Sequence, residues 1–140
     1  MIMNVSRATI EKIPFVVDDH WLISITDTNK QPANITANFK KVFRFSFDDI
    51  ISLREETFGF KRISKEQAEE IANILIQAKT NCVPLWVHCE AGICRSGAVV
   101  EAAISIGFVP DDEISEERCP NKFVLKAIQN FLRKYNKNKN

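Results

Sequence analysis

Two side chains capable of chemistry stand close together in this sequence: Cys89, directly after His88, and Arg95, directly before Ser96. Glu90, Ala91, Gly92, Ile93 and Cys94 separate them, and residues 97–106 then run apolar on nearly every side except at Glu101. A loop wrapped ahead of a helix start turns several backbone N–H groups inward, and with the helix dipole these form an anion site. Gly92 admits a backbone conformation closed to most residues. The Arg95 guanidinium adds a planar fork that matches two oxygens of a phosphate. Helix N-termini and neighbouring cations also favour the thiolate form of a cysteine, which is its nucleophilic form. These residue types suit attack by Cys89 on a phosphorus atom held by residues 90–95. A plainer reading is a strand-to-helix turn in which Cys89 is a small buried hydrophobe. That reading gives no reason for a guanidinium beside an apolar helix.

Such a loop must be positioned by a strand and a helix. Residues 83–88 (VPLWVH) form an apolar run of strand length, with Pro84 confined to its start. His88-Cys89 then lies at a carboxyl end, where ligands of open α/β sheets bind. Ser96 begins the helix, whose apolar character marks it as buried in mid-domain, and Gly107 can end it. Residues 21–25 (WLISI) read as a short buried strand, with residues 13–17 (IPFVV) a possible strand before it. Residues 30–38 form a polar loop containing Pro32. In residues 42–47, Phe43, Phe45 and Phe47 share one face and Val42, Arg44 and Ser46 the other.

Residues 64–79 have the spacing of an amphipathic helix, with Ala68, Ile71, Ala72, Leu75 and Ala78 on one face and Ser64 and Gln67 as a capping box. A last helix is expected over residues 121–135, started by Pro120 and Asn121, with a frayed polar tail from about residue 136. Strands alternating with helices predict an α/β fold: a single domain over residues 1–140, with a mostly parallel central sheet covered by helices.

Composition narrows the function classes. The chain has 140 residues, 45% apolar and 26% charged, which suits one globular domain with its own core. A net charge of +1 gives no long-range attraction to nucleic acid or to an anionic membrane, so neither is expected as a partner. The first residues lack the apolar core of a signal peptide, and no stretch approaches a membrane span, so a cytoplasmic location is expected. The four cysteines are then expected to be reduced. They contain no C-x-x-C pair, and only His20 and His88 could add imidazole, so no structural zinc site is expected.

The segment HCEAGICRS, residues 88–96, resembles the H-C-x5-R-S/T signature of the protein tyrosine phosphatases. The short chain is most similar to their dual-specificity branch, especially small phosphatase-like proteins of bacteria and bacteriophages. The resemblance is most specific over residues 83–107. It extends through element order and the FDDI segment over residues 21–132. It implies a cysteine-phosphatase fold, a phosphorylated protein or peptide as substrate, a cysteinyl-phosphate intermediate and no metal or cofactor; a monomer is expected. It also assigns roles. Cys89 is the nucleophile, and Arg95 binds the phosphate and the transition state. Glu90 to Cys94 supply the phosphate-binding backbone. Ser96 hydrogen-bonds the sulfur, and His88 shapes the loop rather than acting as a base.

The family also places a general-acid aspartate on a loop after an earlier strand. The F-x-D-I pattern selects Asp49 for that role over Asp48. Alternation puts Asp48 on the face of Val42, Arg44 and Ser46, so the two aspartates should point differently. Plainer roles exist for each: a helix N-cap for Ser96, an exposed turn for Asp49. Cys94 could close a reversible disulfide with Cys89 after oxidation, or simply pack. Cys82 and Cys119 read as packing residues; Phe58-Gly59-Phe60 could flank the pocket or move with the Asp49 loop, with core or loop packing as the plainer role. Three other functions stay open: a phosphatase of RNA 5′ ends, phosphoinositides or inositol phosphates, a phosphate-binding module without turnover, and a rhodanese-like sulfur carrier or Cdc25-like phosphatase. Glu90 and the lack of lysine in the loop disfavour highly anionic substrates, and the near-neutral chain disfavours RNA. Arg95-Ser96 before a buried helix, with FDDI upstream, favours the tyrosine-phosphatase arrangement over the rhodanese-like one.

Overall fold

The structure, a computed structural model, describes residues 1–111, 113–115 and 117–139, the last three as backbone. Its elements are β1 (Ile2–Ser6), α1 (Arg7–Ile10), β2 (Trp21–Thr26), β3 (Lys41–Ser46), a 3-10 turn (Leu53–Phe58), α2 (Lys65–Thr80), β4 (Leu85–Cys89), α3 (Arg95–Ser105) and α4 (Lys122–Lys139). The four strands form one parallel sheet in the order β1-β4-β2-β3. The fold is thus α/β, with an all-parallel central sheet flanked by helices.

Burial explains the sequence of each strand. β2 and β4 lie inside the sheet and are buried at every position. Parallel strands covered on both faces read as continuous apolar runs, as WLISIT and LWVHC nearly do. β3 is an edge strand, and its outward residues Val42, Arg44 and Ser46 are exposed while Phe45 is buried. Helices α2, α3 and α4 cover one face, packing on Ile23, Ile25, Phe45, Phe47 and Val87. The opposite face holds Met3, Val5, Leu22 and Trp86, covered by Ile10 of α1, Val17 and Ala33, with Ile35, Ala37 and Phe39 packed against them. The polar loop over residues 30–38 therefore also covers part of the core.

Local signals operate as written in the chain. Ser64 Oγ accepts from Gln67 N at 3.1 Å and Gln67 Oε1 accepts from Ser64 N at 2.9 Å, closing the capping box of α2. α3 is buried along nearly its whole length, including Arg95 and Ser96.

Several expectations are corrected. Residues 13–17 form no strand: Pro14 lacks an N–H, Phe15 and Val16 are exposed, and the Phe15 ring packs at a tilt against Trp86 instead. The true partner strand is β1, at the very start of the chain, paired with β4 from Ile2↔Leu85 to Ser6↔Cys89. Cys82 and Cys119 are exposed rather than packed, and Phe58 and Phe60 are exposed too. Helix α4 continues to Lys139 instead of ending near Tyr135, because the Asn/Lys tail holds no glycine or proline to stop it. Among the described residues, no helix is long and apolar enough to cross a membrane.

Candidate active site

A parallel sheet brings all its carboxyl ends to one edge. Here that edge gathers Arg7 after β1, Asp27 after β2, Phe47 to Asp49 after β3, and Cys89 with its loop after β4. The loop over residues 90–94 is tied down from outside. Glu90 O accepts from Arg7 N at 3.0 Å, Ile93 O from Cys119 N at 3.1 Å, and Cys94 O from Asn121 N at 2.9 Å. In a trans peptide the carbonyl and the next N–H point in opposite directions. Carbonyls anchored outward therefore turn the amides of Ala91, Cys94 and Arg95 toward the loop's concave side. Among the described residues, no amide from 90 to 94 donates to a protein acceptor. Cys94, the N-cap of α3, supplies no side-chain bond to the first turn either. Unpartnered inward amides of this kind suit an anion with several oxygens.

Gly92 is required here by both conformation and contact. Its φ is +73°, and a Cβ at that position would sit 2.4 Å from Val5 C and 2.5 Å from Ser6 N. The loop thus rests directly on the backbone of β1.

Arg95 is only 4% exposed. Its Nη1 donates to Phe47 O at 2.8 Å and pairs with Asp27 Oδ1 at 2.6 Å. Its Nε is buried with no partner. A buried unpartnered donor on a guanidinium is costly unless a ligand satisfies it. Asp27 and the Phe47 carbonyl thus fix one side of the fork and leave Nε free for an oxyanion. Burying the Phe47 ring stabilises the fold by roughly 1.5–3 kcal/mol, so the carbonyl that orients Arg95 is itself rigidly held.

Cys89 Sγ lies 3.2 Å from Ser96 Oγ, and both are buried. His88 is fully buried; its Nδ1 lies 3.0 Å from Cys89 O and its Nε2 2.6 Å from Ser24 Oγ. A carbonyl can only accept, so Nδ1 carries the proton and Nε2 accepts from the Ser24 hydroxyl. Burial, reinforced by the charges of Arg7 and Arg44, holds the His88 pKa below its ordinary value and keeps it neutral. Placed beneath Cys89, it braces the start of the loop.

The two aspartates after β3 differ sharply. Asp48 is buried, although strand alternation placed it on the exposed face; the ladder ends at Ser46 and the chain turns. Its carboxylate accepts from Thr28 N at 3.0 Å, Thr28 Oγ1 at 2.8 Å and Lys61 N at 2.8 Å. Burial opposes its ionisation, but those hydrogen bonds and the Arg95 charge outweigh burial and lower its pKa. Asp48 is thus a fixed anion at the base of the segment spanning residues 49–60. Asp49 is exposed, and its Oδ1 accepts from Asn121 Nδ2 at 2.6 Å. Its charge also reaches Cys94, whose thiol pKa is raised by burial first and by Asp49 next. Asn121 N also donates to Cys94 O, so Asn121 joins Asp49 to the loop.

At the rim, Glu90 lies 3.6 Å from Lys30 Nζ and 3.8 Å from Arg7 Nη1, and Lys30 Nζ lies 3.5 Å from Asp27. Ala91 is exposed and Ile93 and Cys94 are partly exposed. All four cysteines are free.

Sequence reasoning missed Asp27, Ser24 and the second role of Asn121. Asp27 directly follows the WLISIT strand, so placing β2 beside β4 would have put it on Arg95. Asn121 was expected only as a helix start. Its Oδ1 does accept from Phe123 N and Val124 N, but its Nδ2 also holds Asp49 and Ile50 O.

No protein-family model matches the sequence, and no curated protein matches it. In structure, the chain is similar to a human tyrosine phosphatase-like serine/threonine/tyrosine-interacting protein, known from a crystal structure. The TM-score is 0.52 and the identity 17%, over 84% of this chain and 79% of that one. At that identity the likeness concerns the fold, which is tyrosine-phosphatase-like.

Proposed function

We propose that the chain is a cysteine-dependent phosphomonoester hydrolase acting on phosphorylated protein or peptide. The observation that carries this reading is the convergence at one sheet edge of a thiol, inward amides and a buried guanidinium whose Nε has no partner. The small dual-specificity branch of bacterial and bacteriophage type is the one its motif resembles.

In this reading the loop amides and Arg95 bind the phosphoryl oxygens and hold phosphorus beside Cys89. The thiolate attacks, forming the S–P bond as the P–O bond to the leaving group breaks. Asp49 gives its proton to the departing oxygen. Water then attacks the cysteinyl-phosphate, Asp49 takes a proton from it, and the thiolate leaves. Ser96 donates to the sulfur and eases that departure. Asp27 and the Phe47 carbonyl keep the guanidinium in the plane that the equatorial oxygens need. Glu90 and Asp27 place negative charge beside Lys30 and Arg7 at the rim. That balance favours a single phosphoryl group over the clustered phosphates of a phosphoinositide.

The test is hydrolysis of an aryl phosphate by wild type and Cys89→Ser, each with and without EDTA. Activity that survives EDTA and disappears in Cys89→Ser is expected. Full activity in Cys89→Ser, or loss with EDTA restored by a divalent metal, overturns the mechanism.

A further inference from the structure

We propose that a basic groove between α2 and α4 binds an acidic polypeptide segment, the stretch flanking the phosphorylated residue of the substrate. The link to a phosphorylated residue rests on the function proposed above; binding of an acidic segment does not.

The groove has a volume of about 780 Å³ and is lined by Arg62, Lys65, Arg133 and Lys134 around the rings of Phe123 and Phe131, with no acidic residue among its lining. Helix α4 carries Lys or Arg at six positions and neither Asp nor Glu, in a chain whose net charge is only +1. The wall of the groove that α4 supplies is therefore basic, while Glu66, Glu69 and Glu70 of α2 lie outside the lining. Within the lining, Arg62 Nε pairs with Glu56 at 2.9 Å and Lys134 Nζ lies 5.4 Å from the Phe131 ring centroid. Lys65 and Arg133 are exposed and have no ion pair among the described residues.

Position ties the groove to the site. Arg62 follows Lys61, whose amide holds Asp48, and Phe123 lies just after Asn121, which holds Asp49. Both α2 and α4 begin at the sheet edge that carries Cys89 and run away from it. From Phe123 to Lys134 the helix rises about 16 Å, which matches about five residues of extended peptide. At the loop mouth Lys30 and Arg7 are already paired with Glu90 and Asp27, whereas Lys65 and Arg133 in the groove have no such partner among the described residues, so acidic side chains of a substrate find their cations in the groove. The two half-buried rings suit an apolar side chain among the acidic ones. A lipid surface would need a convex basic face, and a long nucleic acid a chain more basic than this one.

A fluorescein-labelled, unphosphorylated Glu/Leu peptide tests the groove by anisotropy against wild type and the double variant Lys65→Glu/Arg133→Glu. Wild type should bind it in a salt-sensitive manner, and the variant roughly tenfold more weakly. In the ¹⁵N-labelled wild type the peptide should shift the amides of Phe123, Ala127 and Phe131. Aryl phosphate hydrolysis should be equal in both proteins, since neither residue touches the loop. Equal peptide affinity, no binding by wild type, or amide shifts elsewhere overturns the proposal. Preference for an RNA oligomer or anionic vesicles over the peptide also overturns it. Peptide binding without aryl phosphate hydrolysis keeps the groove and rejects the enzyme.

Discussion

Gly92→Ala probes how the loop over residues 90–94 is built, and Gly59→Ala is its internal control. Both glycines have positive φ, +73° and +90°, so alanine at either position pays the left-handed cost of roughly 1–2 kcal/mol. At Gly59 a Cβ meets nothing within 4 Å, so the cost ends there. At Gly92 the new Cβ lies 2.4 Å from Val5 C, 2.5 Å from Ser6 N and 2.6 Å from Val5 O. Those are backbone atoms of β1, which is paired with β4 and cannot rotate aside. Restoring ordinary contact requires about 1 Å of movement between loop and strand, and such overpacking adds roughly 1–3 kcal/mol. The total for Gly92→Ala is then about 2–5 kcal/mol. For a chain of this size that corresponds to a Tm loss of roughly 6–15 °C, against roughly 3–6 °C for Gly59→Ala. Activity should separate the pair further. A loop displaced by about 1 Å should lose on the order of 10²-fold in kcat/KM, while Gly59→Ala should keep most of it. Thermal melts and aryl phosphate kinetics on the three proteins decide the matter. If Gly92→Ala is as mild as Gly59→Ala in both, the loop does not rest on β1 as described.

Asp49→Asn should lower kcat by roughly 10²–10⁴ for substrates with poor leaving groups and much less for an activated phenol. Asp48→Asn should instead lower Tm, and leaving-group dependence in that variant would mean the wrong aspartate was chosen. Asn121→Ala and Asn121→Ser should lose similar activity, because both release Asp49, but only Asn121→Ala should lose the helix cap, about 1 kcal/mol of stability by denaturant titration; a fully active Asn121→Ser argues against the clamp. His88 gives a pH limb. Its folded pKa lies below the ordinary 6.5, so the unfolded chain binds the proton first as pH falls. The contribution is complete above about pH 6.5 and declines below it, by at most about 1.4 kcal/mol per pH unit. Thermal melts from neutral to mildly acidic pH should show that decline in wild type and a flatter profile in His88→Gln.

Those parts of the candidate site that lie within one continuous stretch were legible in the sequence. Strand β4, the loop and α3 are consecutive, so HCEAGICRS and its flanks could be read without any fold. The capping box at Ser64 and Gln67 and the alternation of β3 are equally local. What escaped depends on contacts across the sheet. β1 hides in a short terminal run whose five residues show neither alternation nor helical spacing, since it is buried on both faces. Asp27 looks like an ordinary turn residue until β2 lies beside β4. Asn121 has an evident capping role, which conceals that its other amide atom reaches across to Asp49. Asp48 misled strand alternation because the ladder stops at Ser46 and the chain bends there.

The central claim is that Cys89 forms a covalent bond to phosphorus, and rapid acid quench of aryl phosphate turnover followed by peptide mass analysis tests it most directly. The account predicts one phosphoryl group on the peptide carrying Cys89, absent in Cys89→Ala and longer-lived in Asp49→Asn, where the base for its hydrolysis is missing. Continued turnover in Cys89→Ala with no phosphoryl adduct in wild type would contradict it.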